Sequence, residues 1–142
     1  MQPSQQQVQQ LHNLREAWKK TRVQHINLLR GILRELGVTA PSSTQAFLRQ
    51  ACELIERPEV CALRSSLQMV LAEISLCEQA MRDSEEQLAR WHADDDIVHK
   101  LDEVSGIGLL TASALKTAVG KPERFASGRH LSAWLGMTPN EY

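Results

Sequence analysis

The sequence predicts an all-α protein that begins with a long antiparallel coiled-coil helical hairpin and continues into a smaller helical domain. Two long stretches carry apolar residues three and four positions apart, as on one face of a helix. No segment shows the strict alternation of a strand, and helix-favouring Leu, Ala, Gln and Glu are abundant. We expect the hairpin region at 1–92 and the second domain at 93–142.

The first predicted helix covers residues 8–36. Gly37 suits the position after a helix end, and Pro41 cannot continue the helix. We expect the inward side chains to form two stripes, the first with Leu11, Leu14, Trp18, Leu28 and Ile32, the second with Ile26, Leu29, Leu33 and Leu36.

The next two predicted helices span 44–56 and 60–91, with a Ser or Thr of the segment PSST as the N-cap of the first. The third helix has the longest unbroken repeat, which consists of Val60, Leu63, Leu67, Val70, Ile74, Cys77, Met81, Ser84, Leu88 and Trp91. A repeat sustained over four heptads is typical of a coiled coil.

Charge and length indicate which partner the third helix takes. Residues 1–40 carry six Lys or Arg against two Glu, whereas residues 41–103 carry six against thirteen Asp or Glu. The first helix is therefore a basic and equally long partner for an antiparallel pair. A second copy of the chain is the other candidate, and we expect a homo-oligomer formed through the coiled coil.

The second domain is predicted to begin with a short helix, for which the run Asp94–Asp96 supplies an N-cap and an acidic first turn. The stretch VSGIGLLTASALKTAVG, residues 104–120, then predicts a hairpin at 105–108 and a helix at about 109–119. A final helix is expected after a cap at Ser127.

A short helix is followed by Gly-Ile-Gly and then by a longer helix, which is the pattern of a helix-hairpin-helix. Gly106 and Gly108 can take backbone angles closed to other residues, and Ile107 would anchor the hairpin. Backbone N–H groups at the start of the second helix then suit a phosphate oxygen of DNA. Such a contact positions DNA without reading its sequence. A plain turn that needs glycine only for geometry is the alternative.

The hairpin and the cations that follow it form the predicted DNA-binding set. Its members are Ser105, Gly106, Ile107, Gly108, Thr111, Lys116, Lys121, Arg124 and Arg129.

Other kinds of site receive little support. We interpret His92, Asp94, Asp95, Asp96 and His99 as a capped acidic turn and not as metal ligands, because consecutive carboxylates diverge around a helix start. No nucleophile has an assignable histidine and acid, so no catalytic residue is predicted. Three cysteines without a CxxC pair indicate buried, reduced thiols in a cytoplasmic protein, and no apolar run is long enough for a membrane span.

The carboxy-terminal residues resemble a known family. These are bacterial insertion-sequence transposases with an amino-terminal DEDD domain, similar to the resolvase RuvC, and a carboxy-terminal serine transposase domain; they are described as bridge-RNA-guided recombinases. The matching residues are Gly106-Ile107-Gly108, Thr111-Ala112, Ala114-Leu115, Gly120, Pro122, Arg124-Phe125, Ser127-Gly128-Arg129, Leu131, Ala133-Trp134-Leu135-Gly136 and Pro139. Residues 11–38 resemble the start of the family's central coiled coil.

The resemblance implies DNA as partner, a guide RNA as a further partner, and DNA strand cleavage and joining by the family. Ser105 stands where the family usually has Pro. The DEDD carboxylates, which hold Mg in the family, and the catalytic serine segment have no counterpart here. We therefore expect a piece of a transposase that needs no cofactor of its own and is inactive alone.

Two alternatives remain open. A DNA-repair or junction-processing accessory protein would use the same hairpin and would prefer branched DNA to insertion-sequence ends. A coiled-coil interaction module with a purely structural Gly-Ile-Gly turn would show no salt-dependent binding of DNA, whereas phosphate contacts weaken steeply with salt.

Overall fold

The computed structural model describes residues 2–104 and 106–119. Its elements are α1 (Gln5–Glu35), α2 (Thr44–Leu54), a 3₁₀ turn (Cys61–Leu63), α3 (Arg64–Trp91), α4 (Asp96–Asp102) and α5 (Leu109–Val119). Every regular element among these residues is helical, which confirms the all-α prediction. The helix predicted after Ser127 lies outside the described residues.

The end of α1 has the geometry that the sequence predicts. Gly37 takes a positive φ of 79°, a backbone conformation that favours glycine. The N–H of Gly37 donates to the carbonyl of Arg34 (3.1 Å) and that of Val38 donates to Leu33 (2.8 Å). These two bonds form a Schellman motif, and the burial of Val38 and Leu33 adds the apolar contact that accompanies it.

The predicted start of the third helix at residue 60 is wrong, because α3 begins at Arg64. Ser43 caps α2 as expected, by accepting the N–H of Ala46. After α2, turn hydrogen bonds join Val60 to Arg57 (3.0 Å) and Leu63 to Val60 (2.8 Å). Val60 is buried by this turn and not by a continuous helix.

The chain divides into two compact units, and the boundaries between them lie inside α1 and α3. The middle unit is Leu14–Asp83, and the terminal unit combines Met1–Asn13 with Ser84–Tyr142. The predicted functional division at residue 92 stays a prediction.

The middle unit has a core in which α1, α2 and α3 meet. Its buried members are Ile26, Leu29, Leu33, Val38, Phe47, Ala51, Leu54, Ile55, Val60, Leu67 and Ile74. Side-chain contacts show that α1 and α3 run antiparallel in this unit: Arg22 contacts Glu78 (3.0 Å), while His25, later in α1, contacts Glu73, earlier in α3.

The structure corrects the predicted inward stripe of α1. Leu14 and Leu28 are 50% and 52% exposed, whereas Leu29 and Leu33 are fully buried. The second predicted stripe thus supplies the core at this end of the helix, because Leu29 and Leu33 belong to the same apolar cluster as Phe47 of α2. Leu36 and Leu63 are likewise partly exposed, at 37% and 43%.

The thiols are also only partly as predicted. All three cysteines are free, but Cys77 alone is buried, whereas Cys52 and Cys61 are exposed. Cys52 lies on the outer face of α2, and Cys61 lies in the turn before α3.

The terminal unit contains two small apolar clusters. Val8, Leu11 and Leu88 form one, while Val98, Leu101, Ile107 and Ala112 form the other, around the hairpin. None of the helices within 2–104 and 106–119 is long and apolar enough to cross a membrane.

Candidate nucleic-acid interface

The hairpin between α4 and α5 is held by a short series of backbone hydrogen bonds. The N–H of Val104 donates to Leu101 (3.1 Å), and that of Ile107 donates to Val104 (3.0 Å). The N–H of Ala112 then donates to Gly108 (2.9 Å), which begins the ladder of α5. The described part of the predicted hairpin, residues 106–108, and the helix predicted at 109–119 are therefore both present.

The two glycines of the hairpin differ in conformation. Gly106 has a φ of 87°, as expected for a turn that favours glycine, but Gly108 has no positive φ. The expectation that both glycines take angles closed to other residues is therefore wrong for Gly108. A Cβ built on Gly108 would also meet no described atom within 4 Å. Neither conformation nor packing among the described residues requires glycine there.

Ile107 anchors the hairpin as predicted. Its side chain is buried with Val98 and Leu101 of α4 and Ala112 of α5. Gly106, Gly108 and Thr111 are exposed on either side of this anchor. The arrangement places one apolar side chain inward and leaves the backbone of the hairpin facing solvent.

The start of α5 has the features of an anion-binding helix terminus. The N–H groups of residues 109–111 precede Ala112, whose N–H makes the first bond of the helix. Amide groups in this position, together with the positive end of the helix dipole, attract anions. The glycine without a structural role, Gly108, lies directly before them.

Of the four predicted cations, Lys116 alone lies among the described residues. Lys116 is half-buried and its ammonium contacts the carboxylate of Asp95. Ser105, Lys121, Arg124 and Arg129 lie outside the described residues. The structure therefore brings Gly106, Ile107, Gly108 and Thr111 together at the hairpin, with Lys116 held on α5 by an acidic partner.

Asp95 is the N-cap of α4, as the sequence predicts for the Asp94–Asp96 run. Its carboxylate also contacts two side chains outside α4. One carboxylate oxygen accepts the N–H groups of Ile97 (3.1 Å) and Val98 (3.2 Å). The other contacts Lys116 and lies 3.4 Å from Nδ1 of His92. Burial raises the pKa of the Asp95 carboxyl, but the hydrogen bonds from Lys116 and Val98 outweigh it, so the pKa is lowered.

A chain of buried and partly buried polar groups leads away from Asp95 and joins three helices. The Nε2 atom of His92, which follows α3, lies 2.7 Å from Oγ of Ser113 in α5. The Nε2 atom of His12 in α1 lies 2.9 Å from the same oxygen. We call His12, Ser113, His92 and Asp95 the polar chain.

The chemistry of each group fixes where the protons lie when both histidines are neutral. A carboxylate only accepts, so the proton of His92 is on Nδ1, toward Asp95. Nε2 of His92 then accepts the hydroxyl hydrogen of Ser113, and the Ser113 oxygen accepts Nε2–H of His12. Burial lowers the pKa of His92, and the charges of Lys116 and His99 lower it further. The hydrogen bond to Asp95 and the charge of the Asp95 carboxylate act in the opposite direction, but the net pKa of His92 is lowered.

Serine, histidine and aspartate in this order resemble a hydrolytic triad, but the surroundings do not suit a nucleophile. Ser113 is 0% exposed, and its oxygen already contacts His12. A substrate carbonyl has no approach to that oxygen. The polar chain is therefore a structural connection among α1, the end of α3 and α5.

A cavity of about 140 Å³ lies beside the polar chain in the terminal unit. It is lined by Gln2, Pro3, Gln5, Val8, Trp91, His92, Asp95, Lys116 and Thr117. In the described part of the chain, no group of three or more His, Cys, Asp or Glu is placed to bind a metal ion.

The polar chain could not be found from the sequence, whereas the hairpin could. His12 and Ser113 are 101 positions apart, and neither belongs to a motif with a fixed spacing. Asp95 was predicted as a cap because capping depends on neighbouring residues alone. Its contact with Lys116 depends on the packing of α5, 21 positions further along the chain.

Comparison with known proteins gives a consistent result. Residues 98–142 match the family model described as "Transposase IS116/IS110/IS902 family". Over 97% of its length the chain is 30% identical to the "Transposase for insertion sequence element IS1111A" of Coxiella burnetii. It is 32% identical, over the same share of its length, to the "Transposase for insertion sequence element IS1328" of Yersinia enterocolitica. It covers 39% and 41% of these relatives.

A "Probable family 20 transposase" of Pseudomonas aeruginosa is 29% identical over a similar range, and the chain spans 42% of its length. No solved structure matches the chain significantly. The similarity to the first two transposases begins well before the segment that the family model covers, and so includes α1 to α3. The chain is thus similar to transposases over nearly its whole length, and to the IS116/IS110/IS902 family model over residues 98–142.

Proposed function

We propose that this chain is part of a DNA transposase of an insertion sequence and that it contributes a DNA contact through the helix-hairpin-helix of α4 and α5. The similarity to transposases supports the general role. The observation that supports the contact is Gly108: it is exposed, precedes the open amides of α5, and has no conformational or packing need for glycine among the described residues.

A phosphate is the part of DNA that such a hairpin suits. Open amides at a helix start bind oxyanions, and the lack of a Cβ at Gly108 allows the backbone to approach closely. We expect the contact to be independent of base sequence. Lys121, Arg124 and Arg129 are the proposed further phosphate ligands, with Lys116 available when it leaves Asp95.

The activity of the whole protein belongs to the same proposal. We propose that the whole protein has a DEDD domain and a serine domain with which it cuts and joins DNA, and that a guide RNA is an additional partner. Assembly through a coiled coil of α1 and α3, with a second copy of the chain, is also proposed. Bacterial DNA lies in the cytoplasm, which is the expected location.

The test compares two glycine variants that are matched in structure. A Cβ on Gly31 of α1 would also meet no described atom within 4 Å, and Gly31 has no positive φ. We expect Gly108→Ala to weaken binding of a labelled duplex by tenfold or more, since loss of a charge-assisted hydrogen bond costs about 1.5–3 kcal/mol. Gly31→Ala should bind as the unchanged protein does.

Fluorescence anisotropy at low and moderate salt measures both affinities, and circular dichroism checks that both variants fold. Equal affinity of Gly108→Ala and the unchanged protein would refute the hairpin contact. Tighter binding to a branched junction than to a duplex carrying an insertion-sequence end would favour the repair-accessory alternative.

A further inference from the structure

We propose that the corner between α1 and α2 in the middle unit is a binding site for a phosphate group. The site goes beyond the proposed function, because it does not depend on whether the hairpin contacts DNA. Its basis is a cavity of about 330 Å³, which we call the corner cavity. The residues that line it are Arg30, Arg34, Gly37, Val38, Thr39 and Ala40.

Two arginines of the corner cavity carry positive charges that no described carboxylate neutralises. Arg30 and Arg34 are four positions apart in α1, so they share one face of the helix. Among the residues that the structure describes, no Asp or Glu forms an ion pair with either of them. Glu35 follows Arg34, but adjacent residues of a helix do not face each other. Like charges at this spacing repel, and an anion bound between them would relieve that repulsion.

Arg30 is held in position before any ligand binds. Its Nη1 donates to the carbonyl of Pro41 (2.7 Å), and its Nη2 donates to that of Ser42 (3.1 Å). The guanidinium also lies 4.3 Å from the centre of the Phe47 ring. All three partners are uncharged, so the full charge of Arg30 remains. A guanidinium has five N–H donors, and those that Arg30 does not use here are available to a ligand.

The loop after α1 adds donors of a second kind. The backbone N–H groups of Thr39 and Ala40 and the hydroxyl of Thr39 make no hydrogen bond with a described residue, and the same is true of the Arg34 side chain. Phosphate oxygens are strong acceptors, and a guanidinium matches two of them at once. Arginine, hydroxyl and backbone donors around one cavity are therefore the chemistry that a phosphate group requires.

The end of a helix with free carbonyls normally disfavours an anion, but this end is largely satisfied. The carbonyls of Ile32, Leu33 and Arg34 each accept an N–H group from residues 36–38. The whole negative end of a helix is equivalent to about half an elementary charge, whereas the two arginines supply two full positive charges. The net field at the corner cavity therefore attracts an anion.

The volume of the corner cavity also suits this ligand. A cavity of about 330 Å³ holds several water molecules, and a phosphate group takes the place of a few of them. Two sources carry the group, namely the backbone of a nucleic acid and free inorganic phosphate. The experiment distinguishes these sources.

The test is an NMR titration of the isotope-labelled full chain with inorganic phosphate, with sodium chloride adjusted to keep the ionic strength constant. We expect saturable shifts of the backbone amide signals of residues 37–40 in the millimolar range of phosphate. Arg34→Gln should weaken this binding tenfold or more, because it removes a charged donor of the site. Arg34 is exposed, so circular dichroism should show that the variant folds as the unchanged protein does.

Arg49→Gln is the matched control. Arg49 is an exposed arginine of α2 that does not line the corner cavity, so its replacement removes the same charge from the same unit. This variant should bind inorganic phosphate as the unchanged protein does. Equal weakening in Arg34→Gln and Arg49→Gln would show that net charge and not the corner cavity attracts the ion, and would overturn the proposal.

A second titration, with a DNA duplex at low salt, identifies the source of the phosphate. Shifts of residues 37–40 that Arg34→Gln weakens would assign the site to a nucleic-acid backbone, whereas a response to inorganic phosphate alone would assign it to the free ion. Gly108→Ala should leave the response of residues 37–40 to inorganic phosphate unchanged, so a failure of the hairpin contact is a separate result.

Two further outcomes would overturn the proposal. One is the absence of a saturable shift at residues 37–40 with both inorganic phosphate and duplex. The other is a response to inorganic phosphate that is identical in Arg34→Gln and the unchanged protein.

Discussion

Asp95 makes several contacts in the terminal unit, and the structure allows the effect of its replacement on the free energy of unfolding to be worked out. In Asp95→Ala the N-cap of α4 is lost, which costs about 1 kcal/mol. The buried Nδ1–H of His92 loses its acceptor, at about 1–3 kcal/mol. The pair with the half-exposed Lys116 adds about 1 kcal/mol at most.

We therefore expect Asp95→Ala to lower the free energy of unfolding by about 3 kcal/mol. Asp95→Asn keeps a capping oxygen, so it should lower the free energy of unfolding by only about 1 kcal/mol. Asp94→Ala is the control, because Asp94 is an exposed neighbour and such changes stay within about 0.5 kcal/mol.

Urea unfolding at neutral pH, followed by the amide signals of α4 and α5, measures these differences. The pKa of Asp95 is lowered by folding, so its contribution is complete above the usual carboxyl range and is lost as the pH falls through the lowered value. The gap between Asp95→Ala and the unchanged protein should thus narrow below about pH 4. If Asp95→Ala were as stable as Asp94→Ala at neutral pH, the reasoning about the cap and His92 would be refuted.

Three further predictions concern the middle unit. Leu33→Ala should lower the free energy of unfolding in urea by about 3 kcal/mol, because Leu33 is buried. Leu28→Ala should lower it by less than about 1 kcal/mol, because Leu28 is half-exposed. Equal losses would contradict the assignment of Leu33, and not Leu28, to the core. Gly31→Ala should raise stability by up to about 1 kcal/mol, since it improves helix propensity in open space, and a lower melting temperature would contradict this. A thiol reagent should modify Cys52 and Cys61 in the folded protein but spare Cys77, and mass spectrometry of the labelled peptides tests this pattern.

Features set by neighbouring residues were predictable from the sequence. Gly37, Ser43 and Asp95 act at helix ends as predicted, because a cap depends on the residues within one turn of it. The Gly-Ile-Gly hairpin was predictable for the same reason. Val60 shows the limit, since an apolar side chain in the right phase can be buried by a turn as well as by a helix.

Features set by packing between distant segments were not predictable. The sequence of α1 offers two apolar stripes, and only the core shared with Phe47 of α2 decides that Leu33 is buried and Leu28 is not. The pairing of Lys116 with Asp95 and the bridge of Ser113 between two histidines have no local signature. Long-range polar contacts of this kind require the fold.

The most direct test of the central claim is a titration of an isotope-labelled sample with a DNA duplex, followed through backbone amide signals. If the hairpin grips phosphate, the amides of Gly106, Ile107 and Gly108 and of residues 109–111 should shift at low salt and return to their free positions at high salt. Signals of α2 in the middle unit should stay fixed. Unmoved hairpin amides at low salt, with or without shifts elsewhere, would contradict the claim.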